Sequence, residues 1–427
     1  TYYFRAKIID NNRESQFVSA SFSDGTESSH DSELNIGRWS NIKNSDISLN
    51  PYKELDANII NAGNNQSFYL WSDYDYNADS ITIKAVKYNS DGTKNFQKDI
   101  VTGIKYSQGL DNGFGAVSDN SNGFVVVWSS SVVPNTYGFV SRYDSSGNRV
   151  WIKTIDSSGN PILGFDKSIK VLGSKAFVLY ADLAQKIYVK SFDISNGNST
   201  LLDLNETIPG DSFIISVTTT ADNSLIVFYG TSGSIKAKKI SYSNSVSATG
   251  GPYSISNISL ESDQIAIADS SGGAYFAYAD TSDNKLKVLR VNSSLNAVSG
   301  YPKEVDSILS ANFNFYNAGY TPNGPVFAYF NTNSPVTSKV KFWSDSSNNA
   351  TKTHSYNMGF EQFRVSYNQS KNIVGVAGLT NINSRDAVYI FEYGLDGEHT
   401  VTPLIAAKNL YGISLVDYPK EFILSPV

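Results

Sequence analysis

Asp73, Asp75, Asn77 and Asp79 place side-chain oxygens at alternate residues of the segment Asp73-Tyr-Asp-Tyr-Asn-Ala-Asp79. A chain that wraps ligands around one calcium ion needs this spacing, because a hard cation collects oxygens from a short loop. Two positions depart from the pattern: Ala78 stands where such a loop has glycine, and Lys84 occupies the slot of the closing bidentate glutamate. The plainer alternative is a solvated acidic turn. Tyr74 and Tyr76 lie between these acids, and Trp39 lies in a polar, Ser-rich stretch. Aromatic faces in polar segments stack on sugars or fill protein hot spots. Trp39 could equally plug an interface, since tryptophan is highly buried on average. Tyr316 and Tyr320 join the set as aromatics near strand ends. Cysteine is absent, which removes disulfides, thiolate metal sites and cysteine nucleophiles together. The three histidines, His30, His354 and His399, are too scattered for a histidine-based metal centre. No nucleophile elbow, phosphate loop or metalloprotease helix is present. Paired catalytic carboxylates from distant segments stay open.

Charge narrows the partners. Among 427 residues, 34 Lys and Arg stand against 40 Asp and Glu, a net charge of -6. Nucleic acid and anionic membranes call for clustered positive charge, so neither is expected as a partner. Charged residues are 17% of the chain, below the usual ~25%, so Ser, Asn, Thr and Tyr must supply the polar surface. That composition suits an extracellular, cell-surface or virion-surface protein. No run approaches the ~18 apolar residues of a membrane-spanning helix. The chain begins with Thr1, which reads as a processed or truncated product.

The elements that must position these residues recur. A small residue, three or four apolar residues and an aromatic appear as SFYLW ending at Trp71, GFVVVW at Trp128 and KAFVLY at Tyr180. The pattern returns as SLIVFY at Tyr229, GAYFAY at Tyr278 and GPVFAY at Tyr329, with a degenerate NIVGVA at Ala377. The period is roughly 50 residues, in the range of a propeller blade. An alternating strand follows each mark, ending at Tyr88, Tyr143, Phe192, Ile240, Val291, Trp343 and Tyr393. Hairpin turns such as Asp144-Ser-Ser-Gly147 come next, where glycine supplies positive φ. With a strand before each mark, every unit is four antiparallel strands. Single aspartates after a mark, as at Asp182, Asp280 and Asp283, read as turn caps.

The chain ends complete the arithmetic. After seven complete units in residues 56–410, residues 411–427 supply two strands with Ser425 in phase. Residues 1–20 supply strand, turn and strand, with Ile9 in the place of Tyr88. The expectation is an all-β fold in which residues 1–427 form a single β-propeller of eight blades. N-terminal and C-terminal strands would pair in one closing blade and leave no exposed sheet edge. Seven blades plus terminal segments is the alternative. Residues 21–55 are read as a long inserted loop between the closing blade and the first complete one, of a length that is usually functional or disordered.

Several segments resemble known families. The repeated four-strand units resemble the β-propeller superfamily. The segment 73–79 resembles the calcium loops of integrin-type propellers, which implies calcium as a cofactor. Asp144-Ser-Ser-Gly-Asn-Arg-Val-Trp151 resembles the tryptophan-docking segment of quinoprotein-like propellers, which implies a tryptophan packed between blades. Residues 1–20 resemble the end of a fibronectin-type-III domain, as in phage tail-tip proteins.

Functionally, these readings point to a non-catalytic recognition or adhesion module that binds a glycan or protein surface, with possible self-assembly. No catalytic constellation can be assembled from the motifs, which points away from an enzyme. The alternatives are a glycan-processing hydrolase or lyase with carboxylates at the channel mouth, and a self-assembling surface-layer or filament subunit. Trp39, Tyr74 and Tyr76 would bind the ligand, on the face shared by the 21–55 loop and the 73–79 turn.

Overall fold

Runs of five or six uninterrupted apolar residues, as in KAFVLY, differ from the alternation of a half-solvated strand. They require burial on both faces. The computed structural model describes the strands and tight turns between residues 53 and 408 and four short strands within residues 2–22. Residues 23–52 and 409–427, and most connections between sheets, lie outside the described residues.

Seven four-stranded antiparallel sheets follow one another along the chain, at residues 53–105, 114–154, 169–207, 214–253, 265–307, 316–356 and 362–408. They are numbered one to seven here. In each, the strands lie in chain order from first to fourth. The first strands of successive sheets lie side by side, so they form the inner edge of a propeller-like array and the fourth strands its rim. Among the described residues there is no helix.

Burial explains the uninterrupted runs. Ala176, Val178 and Tyr180 of sheet three pack into an apolar cluster shared with sheet two. Phe177 and Leu179, on the opposite face of the same strand, pack into a cluster shared with sheet four. Four further clusters join sheets one and two, four and five, five and six, and six and seven. In sheets two to six each second strand is thus a wall between two cores, and alternate residues serve different ones. The rim strands are solvated instead: Arg149–Thr154 buries Trp151 alone.

Register corrects one mark. In sheet six, Phe327, two residues before Tyr329, pairs with Ala318. In sheet seven the matching pair is Val376 with Val365, and Tyr393 faces Val374. The seventh mark is therefore Gly378, one residue beyond Ala377.

The tryptophan-docking resemblance holds in sheet two, and the device recurs with other residues. Trp151 is 8% exposed, and its Nε1 donates to the Ile194 carbonyl at 2.9 Å. The ring lies over Gly197 (φ +72°) in the hairpin turn of sheet three, where a Cβ would come within 2.9 Å of it. Phe96 of sheet one covers Gly147 in the same way. In sheet six, His354 reaches the Gly397 carbonyl of sheet seven.

At the N-terminus, Tyr2–Ala6 pairs with Val18–Phe22, and Ile9–Asp10 with Arg13–Glu14, as nested hairpins. The partner strands expected at 411–427 lie outside the described residues, as do Trp39 and most of the 21–55 insertion.

Candidate functional site

The site predicted from the sequence falls at one end of sheet one. Asp73, Tyr74 and Asp75 close its second strand, Ser67–Asp75, and their backbones pair with Thr82, Ile81 and Ser80. Tyr76, Asn77 and Asp79 belong to the 76–79 connection, outside the described residues. This connection joins the second strand to the third. The turns between first and second strands lie at the opposite end of the sheets.

That opposite end holds a cavity. It has a volume of about 640 Å³ and is bounded by the ends of the first strands of sheets four, five and six. Thr218, Thr219, Thr220, Asp269, Ser270 and Tyr320 contribute its polar groups, and small residues such as Ala266 and Ala268 the remainder. Its one carboxylate is already engaged. Asp269 is 1% exposed; its Oδ1 accepts the Ser271 and Gly273 amides at 3.0 and 2.6 Å, and Arg290 Nε lies 3.3 Å from Oδ2. Sheet two builds the same turn from Asp119, Ser121, Gly123 and Arg142. The aspartate therefore shapes the turn and offers the cavity no free charge.

The inner strand edges have their own caps. The Ala266 amide donates to Ser216 Oγ of sheet four at 2.9 Å, and the Val365 amide to Asn317 Oδ1 of sheet six at 3.0 Å. Ser216 and Asn317 hold the same register position, one residue before Val217 and Ala318. Since Ala266 turns its amide away from its own sheet, Ala268, two residues on, presents its backbone on the same free edge. At that level the cavity begins. The inner edge is thus capped by side chains along the strands and lined by backbone edges and hydroxyls at the cavity.

A second constellation recurs between sheets. Lys190, Lys238 and Lys341 each sit opposite the residue two before a tyrosine mark. Each donates to a carbonyl on or just past the rim strand of the preceding sheet, at Ile155, Leu204 and Val305. An acid lies beside each carbonyl. Asp306 Oδ2 accepts the Tyr329 hydroxyl at 2.7 Å and Lys339 Nζ at 2.9 Å, with Lys341 Nζ at 3.3 Å. Glu206 takes Lys236 at 2.9 Å and Lys238 at 3.4 Å, beside Tyr229. Burial, then the neighbouring acid, pushes the phenols of Tyr180, Tyr229 and Tyr329 up. Burial also acts to raise the Asp306 carboxyl, but Lys339, Tyr329 and Lys341 overcome it and hold the group down at about 2. These clusters clamp sheets together, with one acid shared by two lysines at Asp306 and at Glu206. Asp182 and Asp280 serve as turn caps, accepting the Lys186 and Ser282 amides.

Of the described residues singled out in the sequence, Tyr320 alone lines the cavity. The cavity's threonines and the tyrosine–lysine–acid clusters carry no local signal, because their partners lie one sheet away. Position within the repeat was the available clue: Ser216 and Asn317 recur in phase on inner strands.

No protein-family model matches the chain, and no curated protein matches it in sequence. Among solved structures it is similar to a puromycin hydrolase mutant complexed with PGG, with TM-score 0.47 and 9% identity, covering 87% of this chain and 55% of that one. It is also similar to a prolyl endopeptidase, with TM-score 0.48 and 9% identity over 80% of this chain and 48% of the other. Dipeptidyl peptidase 4 of Porphyromonas gingivalis gives TM-score 0.44 and 11% identity, covering 80% and 52%. The chain spans about half the length of these proteins. At such identities the likeness is one of fold. The expectation of a non-catalytic recognition or adhesion module, together with its glycan-processing and self-assembling alternatives, is not carried further: the similar structures include a hydrolase and peptidases, and what they share with this chain is the fold. That expectation rested on failing to assemble a catalytic constellation. A propeller-like array serves catalytic and non-catalytic proteins alike, so the failure excluded nothing.

Proposed function

We propose that the chain is the propeller part of a peptide hydrolase, and that its channel mouth admits and aligns an extended, uncharged peptide segment. The hydrolase part of this reading takes up the activity of the similar structures. What this chain itself contributes is the cavity of about 640 Å³ at the inner ends of sheets four to six. A free strand edge presents N–H and C=O groups at the repeat of an extended peptide, which adds to it through main-chain hydrogen bonds. The hydroxyls of Thr218 and Thr219 extend that pattern without adding charge. With Asp269 paired to Arg290, a charged side chain entering the mouth would lose hydration and gain no counter-ion. Among the described residues no histidine is hydrogen-bonded to a serine, so on this reading the reacting groups lie outside them.

Neutral, acidic and basic fluorogenic peptides, offered to the full chain, test the reading. Neutral peptides should be bound in preference, and Ala268→Trp, which fills the mouth, should abolish binding while the melting temperature holds. Failure to bind any peptide, or binding indifferent to Ala268→Trp, would sink it.

We also propose that the array closes as an eight-bladed ring, with residues 411–427 and 1–20 sharing the closing blade. The phase of Ser425 and Ile9 in the repeat supports this. Deleting residues 1–20 should expose sheet edges and lower the melting temperature or cause aggregation. An unchanged melting curve would favour seven blades with terminal segments.

A further inference from the structure

We propose that the seam between sheets six and seven is a proton-sensitive latch triggered by His399. The rim strand of sheet six, Asn349–Tyr356, brings His354 and Tyr356 against Tyr393 and His399 of sheet seven. The Tyr393 and Tyr356 hydroxyls are hydrogen-bonded, and the Tyr356 hydroxyl lies 3.0 Å from His399 Nε2. Tyr393 is fully buried, whereas His399 is exposed. The chain of bonds therefore runs from the core to the solvent.

Proton counting sets its direction. Each phenol has one proton to give. Burial pushes both phenols up, Tyr356 to about 12, so neither ionises near neutral pH. Among the described residues, the hydrogen-bond partner of the Tyr393 hydroxyl is Tyr356 alone. Tyr393 must therefore donate to Tyr356, and Tyr356 to His399, or a buried O–H is left without an acceptor. This order needs an unprotonated Nε2. A proton arriving there turns the acceptor into a donor, so the three groups hold one proton more than they have acceptors among themselves, and either Tyr356 or Tyr393 loses its acceptor. It also places a cation 4.7 Å, centroid to centroid, from the His354 ring.

The charged and titratable groups around His399 decide whether the added charge is absorbed. From sheet six come Lys352, His354 and Tyr356; from sheet seven come Tyr393, Glu398 and the backbone carbonyl of Glu392. Glu398 is the one carboxylate among those acting on the ring, and it is already ion-paired with Lys352. Burial, then His354, lowers the His399 pKa against the opposing pulls of Glu398 and the Glu392 carbonyl. A histidine with a lowered folded pKa favours folding above the unfolded value of ~6.5, and that contribution is lost as pH falls through the folded value. Mild acid should thus loosen the sheet six–seven seam.

The test is a urea midpoint for the full chain at pH 7.5 and 5.5, with a proton NMR titration of its three histidines assigned by single substitutions. The midpoint should fall at the lower pH. His399→Gln, whose Oε1 still accepts from Tyr356 but does not titrate, should remove most of that fall. Tyr356→Phe should raise the His399 titration midpoint towards that of an unstructured peptide. A wild-type midpoint unchanged between the two pH values, an equal fall in His399→Gln, or a His399 that titrates at or above ~6.5 would each overturn the proposal. The NMR titration of the unsubstituted chain decides the matter even if a variant fails to fold.

Discussion

Asp306→Asn is the sharpest test of the clamps between sheets. Asp306 lies on the rim strand Lys303–Ser307 of sheet five and meets Tyr329, Lys339 and Lys341 of sheet six. Its side chain is only 18% exposed, so solvent screens the cluster weakly. Its drop from 3.8 to about 2 corresponds to about 2 kcal/mol of stability, at about 1.4 kcal/mol per pKa unit. The folded pKa lies below the unfolded one. The contribution is therefore present above pH 3.8 and lost as pH falls towards 2. In the asparagine variant two lysines keep their places without a counter-charge, which adds to the loss. Urea unfolding followed by tryptophan fluorescence should show Asp306→Asn about 2 kcal/mol less stable at pH 7, with the gap narrowing below pH 4. Glu304→Gln is the matched control: it lies on the same strand and pairs with Lys285, but its side chain is 48% exposed. That variant should unfold at the wild-type midpoint. Equal midpoints for Asp306→Asn and wild type at pH 7, or a gap that persists unchanged at pH 3, would refute the reasoning.

Three further outcomes are expected. Gly197→Ala combines positive φ with a Cβ 2.9 Å from the Trp151 ring; it should cost about 2 kcal/mol and red-shift tryptophan emission as the ring leaves its seat. Gly123→Ala sets a Cβ 2.3 Å from the Tyr143 carbonyl oxygen, where backbone must move, and should lose more than about 3 kcal/mol or soluble yield outright. If Asp73, Asp75, Asn77 and Asp79 hold calcium, a chelator should lower the melting temperature and Asp75→Ala should abolish that response; a curve indifferent to chelator would remove the ion.

The repeat was legible because the second strands of sheets two to six are buried on both faces and so write an unbroken apolar run ending in an aromatic. Trp151 was legible as an interface residue because its turn carries the docking glycine pattern. The clamps were not. Lys341 and Asp306 are 35 residues apart, and nothing local says that a rim strand of one sheet reaches the third strand of the next. The seventh mark was misplaced by one residue because NIVGVA lacks the terminal aromatic that sets the phase elsewhere. Tyr320 could be picked out as an aromatic near a strand end, but the cavity it lines is made by three first strands far apart in sequence. Their threonines and alanines are too ordinary to flag.

The sharing of each apolar cluster by two sheets determines which substitutions will feel one another. Phe177 and Val178 are covalent neighbours, yet they face different clusters. Phe177 and Tyr229, about 50 residues apart in the repeat, lie in the same one. Double-mutant cycles should therefore find near-additivity for truncations at the adjacent pair and a coupling energy for the distant pair. Compensating changes would then be sought one repeat away along the chain, on the facing wall of the next sheet, before they are sought among a residue's immediate neighbours.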